Sequence, residues 1–189
     1  MDWNKVIFTD ESSFVLYRHP KRVWRYKGER IVYRKVKFPK KVHVWGCFSS
    51  KGFGRLICFT QNLESKFMCK TYQRGLLPSA KNWFGDNWIL QEDNDPKHTS
   101  RFCKQWKNQH FIHTLPWPSN SPDLNPIENV WKILKVNVAK KHPQTLLQLI
   151  HTIRKEWKKL PQNLAGRLCQ SMVNRIHQLK QAEGDFIMY

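Results

Sequence analysis

Acidic residues are scarce in this chain. Asp and Glu number 14 against 33 Lys and Arg, which leaves a formal net charge of +19 over 189 residues and a sequence pI near 10.0. That imbalance excludes an acidic or neutral surface and points to a polyanionic partner, nucleic acid first. Cysteine is sparse too. There are five (Cys47, Cys58, Cys69, Cys103, Cys169), an odd number with no CxxC pair. Neither a disulfide framework nor a Cys-rich zinc site is expected, and the thiols read as reduced ones in an intracellular protein. His110 and His113 find no second pair at zinc spacing. No run of 18 apolar residues occurs, so no membrane span is expected. The opening MDWNKVIFTDESS carries charge early and holds no apolar signal core. Internal repeats and low-complexity tracts are absent.

What is present suits a packed core. Hydrophobic residues make up 40% and aromatics 13%, with nine Trp, which excludes a disordered or collagen-like chain. The length predicts one domain over 1–189. Strands are predicted at 6–8, 14–17, 22–26, 31–36, 42–48 and 55–59. Arg22 to Tyr26 and Ile31 to Val36 show basic–apolar alternation, and SSKGFG supplies a turn. A helix is predicted over 64–77, a short strand over 88–91, a helix over 99–108 and a strand over 111–115. PWPSNSPDLNP, with four prolines, is a loop. Asn125 and Pro126 read as N-cap and first position of a helix. Two more helices follow. One puts Leu146, Leu149, Ile150, Ile153 and Trp157 on one face; the other starts near Pro161, carries Leu164, Leu168, Met172, Ile176 and Leu179, and stops at Gly184. Strands first, then strand–helix alternation, predict an α/β fold with a mixed sheet and helices on it, the helices from about 143 packing as an extension.

Three acids stand out by position. Asp10 ends a strand, Asp93 ends the strand WILQED, and Glu128 sits in the first turn of a helix. Carboxylates from three separated segments can converge at one edge of a sheet. Hard oxygen donors in a basic protein suggest Mg²⁺ or Mn²⁺, and a two-ion site would serve phosphodiester chemistry. A converging acidic cluster is costly unless cations neutralise it. Plainer roles compete. Asp10 could start a turn, Asp93 and Asp95 could be Asx-turn residues before Pro96, and Glu128 could close a capping box on Asn125.

FTDES, LQEDNDPKHTS and LPWPSNSPDLNPIENVW resemble the three signature segments of Tc/mariner superfamily DNA transposases, and VHVWGCFSSKGFG is similar to the family's sheet segment between the first two. Between Asp93 and Glu128 lie 34 residues, the spacing of the Tc branch. The resemblance runs from Lys5 to about Lys180. It implies a ribonuclease-H-like fold, with a mixed five-stranded sheet and helices on both faces. It implies that Asp10, Asp93 and Glu128 are catalytic and metal-binding and hold two Mg²⁺ (or Mn²⁺) ions, with no small-molecule cofactor. The reaction implied is phosphodiester hydrolysis at transposon ends, then joining of the freed 3′-OH to target DNA, preferably at TA, with no covalent enzyme intermediate. Asp95 is the rival of Asp93, which follows the strand directly. With the first strand predicted within ten residues of Met1, the family's N-terminal helix-turn-helix modules are not expected in the sequence as read.

The segment RHPKRVWRYKGERIVYRKVKFPKK interleaves cations with Trp24, Tyr26 and Tyr33. Arg22, Arg25, Lys35, Lys37, Lys40 and Lys41 are candidate contacts to the phosphates of double-stranded DNA, and a solvated basic hairpin is the alternative. In the family a loop here helps pair two subunits, so a homodimer is expected. Arg34 to Lys41 could serve nuclear import, and the nucleus is the expected location. Lys97, His98 and Trp117 complete the candidate nucleic-acid contacts. His98 is equally placed to start a helix, and Trp117 to pin its loop to the core. A catalytically silent DNA-binding or dimerising remnant is the competing function. A nuclease acting on RNA–DNA hybrids is a third.

Overall fold

A computed structural model describes residues 1–16, 26–29, 39–118 and 121–183. The strands expected at 22–26 and 31–36, the stop at Gly184, and Arg22, Arg25, Lys35 and Lys37 lie outside the described residues. After a short turn at Trp3–Lys5 come β1 (Val6–Val15), β2 (Lys41–Ser49) and β3 (Gly52–Phe59). The segments expected at 6–8 and 14–17 are thus one strand. TDESS does not break it, because all of Phe8 to Val15 pairs with β2.

A helical stretch then runs from α1 (Ser65–Thr71) through a π-turn (Tyr72–Leu76) into α2 (Leu77–Phe84). It is followed by β4 (Ile89–Gln91), α3 (Pro96–Thr99) and α4 (Arg101–Gln109). Helices α5 (Ile127–Ala139), α6 (Leu146–Lys158) and α7 (Gln162–Gln181) complete the chain.

The sheet order is β3-β2-β1-β4, with β1–β2 and β2–β3 antiparallel and β1–β4 parallel. The sheet described therefore has four strands rather than the five expected. The fifth is reduced to one parallel bridge, Leu90 to Thr114, carried by Leu90 N–H to the His113 carbonyl and Leu115 N–H to the Leu90 carbonyl. Pro116 and Pro118 follow at once, and neither has an N–H to extend a ladder.

Strand alternation sends successive side chains to opposite faces. Val6, Phe8, Val42, Val44 and Phe48 pack in one apolar cluster with α5, α6 and α7. Ile7, Trp45, Cys47 and Leu90 pack on the other face with residues of α1, the π-turn, α2 and α4. The last two helices share the first cluster with the sheet, so they are part of its core. Even-numbered positions of β1 face α5, and this decides where Asp10 points.

Candidate active site

Asp10 sits on the α5 face of β1, and its Oδ2 accepts a hydrogen bond from Trp131 Nε1 at 3.1 Å. Trp131 lies three residues after Glu128, on the same side of α5. Asp93 follows β4 by two residues, and its side chain is half exposed. Glu128 lies in the first turn of α5, where the helix dipole favours a negative charge. These three carboxylates, from three elements, line one cleft of about 480 Å³ together with Asn94, Asp95, Trp117 and Asn125.

The prolines and Asn125 position the third acid. Asn125 Nδ2 donates to the Thr9 carbonyl at 3.4 Å, next to Asp10, and Asn125 Oδ1 accepts from Ile127 N–H at 3.4 Å. The helix starts one residue later than expected, with Pro126 as its N-cap. The capping box does not form: the Asn125 N–H donates to the Pro122 carbonyl, at 3.2 Å. Glu128 keeps its carboxylate toward the cleft. Arg175 of α7 is buried and holds this region from behind. It donates to the Asp123 carbonyl (2.5 Å), Asn129 Oδ1 (2.8 Å) and Ser171 Oγ (3.1 Å).

The two aspartates of the DND sequence differ in how they are engaged. Asp95 caps α3, with Oδ1 accepting from Lys97 N–H at 3.0 Å, and its Oδ2 pairs with Lys97 Nζ at 2.7 Å. Hydrogen bonds and charge from Lys97 overcome its burial and hold its carboxyl below the usual range. Asp93 Oδ1 accepts from Asp95 N–H at 3.1 Å and faces His98 Nε2 at 3.3 Å, leaving its other oxygen to the cleft.

His98 and Lys97 do not face outward as DNA contacts would. His98 is buried, its Nδ1 lies 2.7 Å from the Tyr72 hydroxyl, and its Nε2 lies near Asp93 and Glu11. The Tyr72 hydroxyl donates to Glu92, which also takes Lys107 Nζ. Tyr72 has one hydrogen to give, so His98 Nδ1 is placed to donate to it, while Nε2 faces the carboxylates of Asp93 and Glu11. Burial opposes a charge on the ring, but Glu11 and Glu92 outweigh it and raise the His98 pKa. Lys97 Nζ bridges Glu11 (3.0 Å) and Asp95. Both side chains are engaged with carboxylates of the protein, His98 buried and Lys97 partly so. Lys40 and Lys41 are exposed. Trp117 packs on the core and lines the cleft, and its carbonyl accepts from Asn94 Nδ2 at 2.6 Å.

The cleft is electrostatically incomplete. Burial, then the Glu11 and Glu128 charges, push the Asp10 carboxyl up to about 8. Among the described residues, no three Asp, Glu, His or Cys side chains already enclose an ion. An open cleft with three hard oxygen donors still fits Mg²⁺ or Mn²⁺. Mg²⁺ keeps several waters and completes its shell with substrate phosphates rather than with a protein cage.

The model of one family, described as DDE superfamily endonuclease, matches residues 5–150. The chain belongs to that family. This chain is 37% identical over 143 residues to the Transposable element Tc1 transposase of Caenorhabditis elegans, covering 71% of this chain and 52% of that protein. It is 34% identical over 142 residues to the Tcb1 transposase of Caenorhabditis briggsae, with the same coverage. The chain thus spans about half the length of the curated relatives it matches. A Mos1 transposase paired-end complex with left transposon end superposes with a TM-score of 0.84 at 14% identity, over 98% of this chain and 57% of that one. The catalytic domain of Mos1 mariner transposase gives 0.78 at 13% identity, over 98% and 85%. The fold of this chain is therefore the ribonuclease-H-like fold of the mariner catalytic domain.

Several residues of the site escape sequence reasoning. Trp131 was findable, three residues after Glu128. Arg175 breaks the apolar stripe of α7 at a position three after Met172 and seven after Leu168, which marks a cation on a buried face. Tyr72, Glu92 and Lys107 carry no signal in the sequence.

Proposed function

We propose that this chain is the catalytic part of a DNA transposase, a divalent-metal-dependent endonuclease and strand-transfer domain. Asp10, Asp93 and Glu128 would hold two Mg²⁺ or Mn²⁺ ions. The observation that carries the reading is the convergence of these three carboxylates in one cleft. Two bound ions would supply Lewis acidity at the scissile phosphate and at the attacking oxygen.

The protein's own groups do the positioning. Trp131 fixes one oxygen of Asp10. The Asp95 N–H and His98 fix one oxygen of Asp93. Asn125 and Arg175 set the start of α5 and with it Glu128. In the first step a water oxygen bonds to phosphorus and the P–O3′ bond breaks, giving a 3′-OH and a 5′-phosphate. In the second, that 3′-OH attacks a target phosphate and a target 3′-OH leaves. No protein group becomes covalently attached. Transposon ends and a TA target are the proposed substrates, and the proposed assembly is a homodimer, in keeping with the paired-end complexes of the Mos1 relatives. The proposed location is the nucleus, with Arg34 to Lys41 as the import segment.

A nicking and strand-transfer assay on supercoiled DNA with Mn²⁺ tests the reading. Wild type should cut, and Asp10→Ala, Asp93→Ala and Glu128→Ala should not. Asp93→Asn should lose cleavage while keeping salt-sensitive DNA binding. Metal-dependent cutting by any of these variants would sink the assignment of the triad. A wild type that binds DNA and never cuts would favour the silent module.

A further inference from the structure

At the far edge of the sheet from Asp93, strand β3 floors an open groove of about 820 Å³ between α2 and α6. The groove shares no lining residue with the acidic cleft. Arg55 enters it from β3, Arg74 from the π-turn, and Arg154 and Lys158 from α6. Among the described residues that line it there is no Asp or Glu. One of the cations is tied in place. Arg55 Nη1 donates to the Arg74 carbonyl at 3.2 Å, and the Arg154 charge lies close enough to the Cys58 thiol to favour its ionised form against burial. Four like charges gathered without a counter-ion repel one another, so an anion in the groove is attracted by all of them.

The shape and the backbone narrow the occupant. An edge strand commonly accepts another β-strand. Here the Gly54 carbonyl accepts from Trp157 Nε1 at 2.9 Å, and the Arg55 N–H donates to Ser79 Oγ at 3.1 Å. The main chain at the centre of the groove is already satisfied, which disfavours strand addition. Arg154 and Lys158 stand one helical turn apart, a rise of about 6 Å. Two axial steps of a DNA strand span about 7 Å. An open trough with cations on both lips fits an extended polyanion.

We propose that this groove is a second DNA site, which takes the phosphodiester backbone of duplex DNA without reading its sequence. The proposal does not rest on the nuclease reading, because it holds equally if the acidic cleft is silent.

The test is fluorescence anisotropy of a labelled duplex of arbitrary sequence, with EDTA present so that metal binding plays no part. Arg74→Glu/Arg154→Glu/Lys158→Glu is compared with a charge-matched control on α1 and α4, Lys66→Glu/Lys70→Glu/Lys104→Glu, whose residues are also exposed. The groove variant should bind at least about tenfold more weakly than the control, and its slope of log K against log salt should be shallower by about 2–3, at roughly 0.9 per lost phosphate contact. Equal weakening in both variants, or no weakening, overturns the proposal. Loss confined to duplex RNA, with DNA binding intact, also overturns it. If the triple variant fails to fold by circular dichroism, Arg154→Gln/Lys158→Gln decides, with a slope change of about 1–2 expected against none.

Discussion

Asp10 lies in β1, directly across from Gly46 of β2. A Cβ at Gly46 would meet Trp131 Cη2 at 2.8 Å and Trp157 Cη2 at 3.0 Å. Glycine is needed there for room rather than for backbone freedom, since the two stacked indoles occupy the space a methyl would take. Gly46→Ala should cost about 1–3 kcal/mol in urea unfolding, as overpacked cores do. By displacing the indole that holds Asp10 it should also lower any Mn²⁺-dependent cutting more than Leu56→Ala does. Asp10 itself makes stability depend on pH. Its folded pKa lies near 8, well above the usual carboxylate value of 3.8. The folded state therefore binds more protons between about pH 4 and 8, and the metal-free protein should lose stability as pH rises through that window. His98, also raised, adds to the same trend above 6.5. Melting in EDTA across pH 4–8 should show the decline, and Asp10→Asn should flatten it. Asp93 was readable from the end of a strand and Glu128 from a helix start, whereas Asp10 does not end its strand as expected but lies in the middle of β1. The indole that holds Asp10 needed only helical periodicity. The partners of His98 could not be read, because Tyr72 of the π-turn and Glu11 of β1 are remote from it in sequence and reach it only through packing.

The loop before α5 is braced from α7: Arg175 donates to the Asp123 carbonyl in the loop and to Asn129 Oδ1 in the first turn of α5, while its Nε donates to Ser171 of its own helix. Arg175→Met removes all three and leaves the Asp123 carbonyl and Asn129 without that donor. An unsatisfied buried polar group costs about 1–3 kcal/mol. The melting temperature should fall by several degrees, and cutting should fall further than stability alone explains, since Glu128 loses its brace. Equal losses in both would make Arg175 purely a packing residue.

The π-turn is a second element that periodicity does not expose. One extra residue in the turn brings the backbone of Gly75 down onto Trp45, where a Cβ would lie 2.5 Å from the ring. It also aims Tyr72 at Glu92 and His98. The helix over 64–77 was legible from its apolar spacing, but the bulge arises from a contact with β2 that only the fold creates. The expected fifth strand has the opposite history. Residues 111–115 have strand character locally, but two prolines directly after them stop the pairing at one bridge.

Over the whole molecule, β1 and β2 serve two cores at once. Their alternate residues feed the α5–α7 cluster and the α1–α4 cluster, so neither cluster can open without the strands they share. Cys47 and Cys169 are fully buried in different clusters, and burial pushes both thiols up to about 12. Thiol labelling during urea unfolding should expose both at one midpoint, coincident with the loss of helix by circular dichroism. Separate midpoints would show two independently folding halves. The alternation of β1 and the apolar stripes of α6 and α7 made this layering readable. The distribution of charge was not: the acidic cleft, the internal Lys107–Glu92 pair and the basic groove are products of assembly.

The indoles of Trp131 and Trp157 stack with centroids 5.4 Å apart, and the first of them donates to Asp10. The Asp10 carboxylate thus has a chromophore hydrogen-bonded to it and a second chromophore against that one. Whatever changes the charge on Asp10, a proton or a metal ion, alters the field on a coupled indole pair. Titrating Mn²⁺ should therefore change tryptophan emission and near-ultraviolet ellipticity together. Trp131→Phe should abolish that response while leaving the other tryptophans to report on folding. The cleft carries its own optical gauge of occupancy, readable with no DNA present.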